Sequence, residues 1–348
     1  MNLNRNNPVP PDSPAETPSI HHSCHNMLLH AILLLGRFRR AGWIFAGFNL
    51  TCSLFFMTAT NLSADSVWEK TTWRGESAWS SAQGAVRAVV TEVRCRLIYL
   101  GSVDGTVNLI NAPYPQTLPD GKGHWPNQGG HRFWLGPQSH WKWPPLAEWE
   151  YSAAAGVTTD GPVLILQERH DDPAYPAITR EYAWEGARLR CTARWTDNGR
   201  AYFGLHVVPV DAPLVVTVRL EKKPGVPAGA VLAQMVNPEP LLTLPHPSVT
   251  VEGDSATVRS GIKVAKLGFV PQALTITRPS GWKLSVLPGP HEGVALDLPD
   301  QGYLSQIWVG GPSEHELAEL EQLSPYLRGD AKGRCASSIF IEVTPPGS

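Results

Sequence analysis

Residues 187–195, ARLRCTARW, alternate strictly: Leu189, Cys191, Ala193 and Trp195 fall on one side and Arg188, Arg190, Thr192 and Arg194 on the other. A period of two is that of a strand with one wet face. Val86–Leu100, Pro162–Gln167, Leu214–Leu220, Ile262–Lys266 and Ser338–Val343 are similarly rich in β-branched and apolar residues and predict further strands. Two hairpins follow from turn chemistry, SVTVEGDSATV reversing at Glu252–Ser255 and ALTITRPSGWKLSVL at Pro279–Gly281. One segment departs from this pattern. In His315–Leu323, HELAELEQL, the Ala, Glu and Leu content favours helix by propensity. No internal repeat or low-complexity linker divides the chain after its first 64 residues, so residues 65–348 are expected to form one large antiparallel β domain.

Residues 1–64 read differently. Met1–Ser19 is rich in Asn, Pro and Ser without an apolar period, the composition of a disordered extension. An apolar run after Met27, a basic knot at Arg37, Arg39 and Arg40, and the uncharged stretch AGWIFAGFNLTCSLFFMTATNLSA then follow the order of a secretory signal, with Ala59 and Ala64 as cleavage positions. An uncleaved membrane anchor over Ala41–Ala59 is the alternative, and Met27 is a second candidate start. The expected location is periplasmic or secreted. Membrane contact, if any, would come only through that uncleaved segment. The His21, His22, Cys24, His25 cluster has metal-ligand residue types but lies ahead of the leader, where no fold surrounds it.

Composition narrows the function classes. The chain has 348 residues, 32 Pro, 31 Gly, 13 Trp and a formal net charge of -2, with only 17% charged residues, which suits many short strands joined by turns. No basic stripe with interleaved aromatics is present, so nucleic acid is excluded as an expected partner. Of the five cysteines, Cys24 and Cys52 fall in the leader; Cys95, Cys191 and Cys335 remain, an odd number that permits at most one disulfide. Phosphate loops, HExxH and GxSxG are missing, and nothing in the sequence demands a metal or an organic cofactor.

Chemistry concentrates in Asn127–Tyr151, NQGGHRFWLGPQSHWKWPPLAEWEY, and five of the tryptophans lie between Trp125 and Trp149. Aromatic rings beside amides and charges suit a pyranose, which shows C–H faces to rings and hydroxyls to polar groups. Gly129 and Gly130 free the backbone just before His131 and Arg132. Two further places carry titratable groups: His206 in the apolar run YFGLHVV, and Glu319 and Glu321 in ELEQLSP. Each also has a structural reading, His206 as a core histidine and the glutamates as a solvated face.

The order of GGHR-aromatic with W and PP, then Asn198-Gly199 and Gly204-Leu205-His206, then Leu320-Glu321 with Pro325, resembles the galactose-mutarotase-like superfamily, which includes aldose 1-epimerases and hexose-phosphate epimerases. A poorly characterised bacterial branch with a GGHR-W-P segment is the nearest likeness. The resemblance spans about Val86 to Val343. It implies an all-β antiparallel supersandwich that binds a monosaccharide or oligosaccharide and interconverts its anomers, with Glu321 as base and His206 as acid. It also implies His131 and Arg132 as substrate-binding side chains, with Gln138, Trp134 and Trp141 beside them. Export disfavours a phosphosugar. One departure stands out: His206 is preceded by Leu205 and followed by Val207 and Val208, where the galactose mutarotases have an Asn-His-x-x-Phe-Asn arrangement, and such a strand can bury the imidazole. A sugar-binding domain without turnover and a structural, partner-binding β-sandwich are the other readings.

Overall fold

Three large antiparallel sheets and two two-stranded ones make up the computed structural model, which describes residues 67–110, 114–117, 124–127, 129–141, 144–211, 214–220, 246–310 and 317–348. A four-stranded meander comes first: Glu69–Trp73, Glu76–Gln83, Val86–Thr91 and Arg96–Ser102. A ten-stranded sheet runs, edge to edge, Val249–Glu252, Ser255–Arg259, Val215–Arg219, Leu274–Thr277, Lys283–Glu292, Arg334–Thr344, Arg188–Thr196, Thr179–Glu185, Val163–Glu168, Ala154–Asp160. A five-stranded sheet runs Ala265–Phe269, Ser305–Val309, Leu317–Leu323, Phe203–Asp211, Arg132–Gly136. The expected all-β antiparallel supersandwich is the observed architecture. The expected N-terminal extension and leader lie outside the described residues. Among the described residues, no helix is long and apolar enough to cross a membrane.

Alternation builds the core. Val208, Val210, Leu267, Ile307 and Leu320 of the five-stranded sheet face Leu189, Cys191, Val216, Ile339 and Ile341 of the ten-stranded one in a single buried cluster. The two sheets approach closely at Gly204, where an added Cβ would lie 2.5 Å from the Ser337 Cβ and 2.8 Å from the Phe133 ring. Gly204→Ala is therefore expected to cost about 1–3 kcal/mol, the range for overpacking. A denaturant midpoint equal to wild type would show that the sheets have slack there.

Several expected elements fall in different places. Val86–Leu100 is two strands, because the chain reverses after Thr91 through Cys95, which sits at φ 49. The 262–266 strand begins only at Ala265. Both hairpins turn where expected, at Gly253 with φ 60 and Gly281 with φ 85.

The largest change is at the expected helix: Leu317–Leu323 is a strand lying between Ser305–Val309 and Phe203–Asp211. Helix propensity amounts to tenths of a kcal/mol per residue. Placing Ala318 and Leu320 in the core while pairing the backbone on both sides outweighs it. Cys95, Cys191 and Cys335 are all buried free thiols.

Candidate functional site

Strand register sorts the expected site residues onto the two faces of the five-stranded sheet. Directly opposed residues of antiparallel strands project to the same side. Arg132 opposes Val207, Val207 opposes Glu321, and Glu321 opposes Gln306, so these form one row on one face. Glu319, Trp308 and Lys266 make the next row on that face. His206 opposes Phe133 and Gln322, and these belong to the other face, the one packed on the ten-stranded sheet. The structure places Arg132 and Glu321 on one face, two strands apart, and puts His206 on the opposite face from Glu321.

Why His206 faces inward is visible in its contacts. Its Nδ1 lies 3.0 Å from His131 Nε2 and its Nε2 lies 3.1 Å from Ser337 Oγ on the ten-stranded sheet. The His131 and His206 rings stack with centroids 5.3 Å apart and planes 6° apart, and Phe133 meets His206 edge-on. His206 is 1% exposed and His131 2%. Burial, with Arg180 nearby, lowers the His206 pKa to about 3, and burial together with His206 and the surrounding arginines holds His131 well below its ordinary value. Both rings are neutral at pH 7.

The two glycines ahead of His131 work as the sequence suggested. Gly129 and Gly130 take φ 68 and φ 72. A Cβ on Gly130 would sit 2.5 Å from the Leu97 carbonyl oxygen. Without it, the His131 amide donates to Leu97 O at 2.8 Å, and Arg96 Nη1 donates to Gly129 O at 2.9 Å. The segment is thereby sewn to the four-stranded sheet. Arg132 then enters the edge strand fully buried, ion-paired to Glu319 and 5.2 Å above the Trp134 ring.

The aromatic platform expected from Trp134 and Trp141 is mostly scaffold. Trp134 is 5% exposed, its indole donating to Glu150 Oε1 at 2.7 Å. Trp141 is half-buried, donates to Leu135 O at 2.8 Å, and meets Trp134 and Trp149 edge-on. Gln138 is exposed in a short 3-10 turn beyond the strand end, away from the Arg132–Glu321 row. Trp143 lies outside the described residues.

What remains is a polar patch on the sheet face turned away from the sandwich core. Lys266 Nζ lies 2.8 Å from Glu321 Oε2, and Gln306 Nε2 donates to Asp300 Oδ2 at 2.6 Å. The Lys266 and Glu319 side chains keep 17% and 13% of their surface open, while Glu321 is 2% exposed. Burial raises Glu321, with Lys266 opposing and Glu319 adding to the rise; the net direction is up. Burial works against the Lys266 charge, but Glu321, Glu319 and Asp300 outweigh it and hold the ammonium protonated.

Lys266, Gln306 and the half-buried Trp308 were not singled out from the sequence. The alternation in SQIWV, with Gln306 and Trp308 out of phase with Ile307 and Val309, was the available signal. Among the described residues, no group of three or more His, Cys, Asp or Glu could hold a metal ion.

Superposition on a solved structure supports the all-β architecture. A protein from Salmonella typhimurium named as a candidate mutarotase (YeaD) superposes with a TM-score of 0.50 at 14% identity, over 79% of this chain and 94% of that one. A galactose mutarotase-like protein from Lactobacillus casei gives 0.46 at 10% identity, over 77% and 100%. No protein-family model matches the sequence, and no curated protein matches it. The all-β antiparallel fold is similar to that of the Salmonella protein.

Proposed function

We propose that this chain is an exported carbohydrate-binding domain that takes a free sugar on the outward face of its five-stranded sheet, around Glu319, Glu321, Lys266 and Trp308. One observation carries the reading. A sheet whose inner face is largely apolar core carries two carboxylates, an ammonium, an amide and an indole ring in adjoining rows on its other face, where Glu319, Lys266 and Trp308 keep open surface and Glu321 and Gln306 lie buried beside them. Carboxylates accept from sugar hydroxyls, the ammonium donates to them, and the ring of Trp308 faces a pyranose C–H surface. Arg132 is ion-paired to Glu319 from the edge strand, and a sugar hydroxyl reaches Glu319 and Lys266 first because they are open members of the patch.

A second reading, anomer interconversion, is favoured by the upward shift of Glu321 beside a protonated Lys266. Two titratable groups of opposite role at one centre are what ring opening and closure requires. In this version Lys266, on the same face, replaces His206 as the acid.

Saturation-transfer NMR of the full chain with D-glucose, D-galactose, D-xylose and their common disaccharides tests both readings. Binding predicts transfer to at least one sugar, weakened roughly tenfold or more in Lys266→Ala, the loss of one charged hydrogen bond. Magnetisation exchange between anomers that disappears in Glu321→Gln would establish turnover. Absence of transfer to every sugar contradicts both readings and leaves the partner-binding sandwich.

A further inference from the structure

A pocket of about 460 Å³ opens at His140, Arg200 and Ala201. It lies where the turn Gln138–His140, leaving the edge strand, comes beside the residues that enter Phe203–Asp211; pairing of Phe203 with Gly136 brings the two together. The Arg132–Val207–Glu321 row is four residues further along these strands, about 13 Å at the rise of a β-strand. The pocket is therefore separate from the polar patch.

Its two polar side chains are open to solvent. Among the described residues neither the Arg200 guanidinium nor the His140 imidazole has a hydrogen-bond or ion-pair partner, and both residues are exposed. Arg94, Arg188, Arg190, Arg194, Arg328 and Arg334 each reach a carboxylate, whereas Arg200, like the exposed Arg169 and Arg219, does not; of these three only Arg200 lines the pocket. Backbone bonds fix the rim. Tyr175 Oη donates to His140 O at 3.2 Å, the His140 ring stands edge-on to Tyr202 at 6.5 Å, and the Arg200 amide donates to Asn198 Oδ1 at 3.2 Å.

From this geometry we infer that the pocket is a second saccharide subsite selective for a carboxylated sugar, with Arg200 on the carboxylate and His140 on a hydroxyl. A planar guanidinium fork matches a carboxylate in two parallel hydrogen bonds. A single arginine balances a monoanion and leaves a phosphate dianion half compensated. The volume is within the range of small-ligand sites. The inference rests on the carbohydrate reading for the sugar, and on its own observation, the unpartnered arginine at a pocket rim, for the charge.

Titration of the full chain at low ionic strength with D-glucuronate, D-glucose, glucose 6-sulfate and glucose 6-phosphate tests it. The expected result is D-glucuronate binding about tenfold or more tighter than D-glucose, a preference abolished by Arg200→Ala and retained in Glu319→Gln. Arg200 is exposed, so its replacement leaves the fold intact. Equal binding of glucuronate and glucose, or a preference that survives Arg200→Ala, overturns the subsite. Equal affinity for the sulfated sugar overturns carboxylate selectivity, because charge alone would then be read. If glucose binds and Glu319→Gln abolishes that binding while glucuronate gains nothing, only the subsite falls. If glucuronate binding depends on Arg200 while no neutral sugar binds the sheet, the subsite stands and the proposed function falls.

Discussion

Glu150→Ala is expected to destabilise the protein by about 3–5 kcal/mol, the cost of breaking one side of a buried ion pair. Arg96 Nη2 lies 2.9 Å from Glu150 Oε2, and both side chains are 0% exposed. Burial works to raise the Glu150 carboxyl, but Arg96, Arg132 and the hydrogen bonds from Arg96 and Trp134 outweigh it and hold the group ionised. Without the carboxylate, Arg96 keeps only carbonyl partners at Gly129 and Glu150, and the Trp134 indole loses its acceptor.

The double variant Arg96→Met, Glu150→Met removes both charges and is expected to be more stable than Glu150→Ala alone, since two apolar groups fill the space without an orphaned cation. Urea unfolding measures both. A loss below about 1 kcal/mol in the single variant, the size of an exposed pair, would mean that water reaches Arg96.

Acid is expected to unfold the protein through its stacked histidines. In the folded chain the His206 pKa is held at about 3 against an ordinary 6.5, so the folded state binds fewer protons than the unfolded one between those values. The associated stability is fully present above pH 6.5 and is lost as pH falls toward 3. Its full size is about 5 kcal/mol for His206 by the conversion of pKa to free energy, and His131 acts in the same direction.

Glu168 and Glu321, both raised, act in the opposite sense. Each favours the fold less as pH rises from the ordinary carboxylate value through its folded one. Comparison with a variant isolates the histidine contribution. His206→Asn, which keeps a polar side chain beside Ser337 but cannot titrate, is expected to flatten the stability-versus-pH curve between pH 6.5 and 3. An unchanged slope would show that the ring is protonated without opposition.

The sheets were legible because one face of each strand is wet or because β-branched residues cluster; Leu189, Cys191, Ala193 and Trp195 are all in the core. In Leu317–Leu323 the glutamates favour helix locally, while Ala318 and Leu320 alternate with Glu319 and Glu321 as a strand requires, and the strand prevails. Arg132 and Glu321, singled out through the order of short motifs, lie in one row on the same sheet face. The side on which His206 lies was not legible. Phe203 to Val210 is apolar on both faces, so alternation cannot say which face meets the other sheet; Ser337, 131 residues away, decides it. Lys266 and Trp308 escaped notice because cross-strand neighbours come from distant parts of the chain.

The outward sheet face as the sugar site, independent of the stacked imidazoles, is tested most directly by calorimetric titration of the sugar that shows the strongest saturation transfer. The comparison is between Glu319→Gln and His206→Asn, with folding of each variant verified by its unfolding midpoint. Affinity reduced roughly tenfold or more in Glu319→Gln and unchanged in His206→Asn is the predicted result. Affinity lost in folded His206→Asn and kept in Glu319→Gln would contradict the account and return the sugar to the inner face.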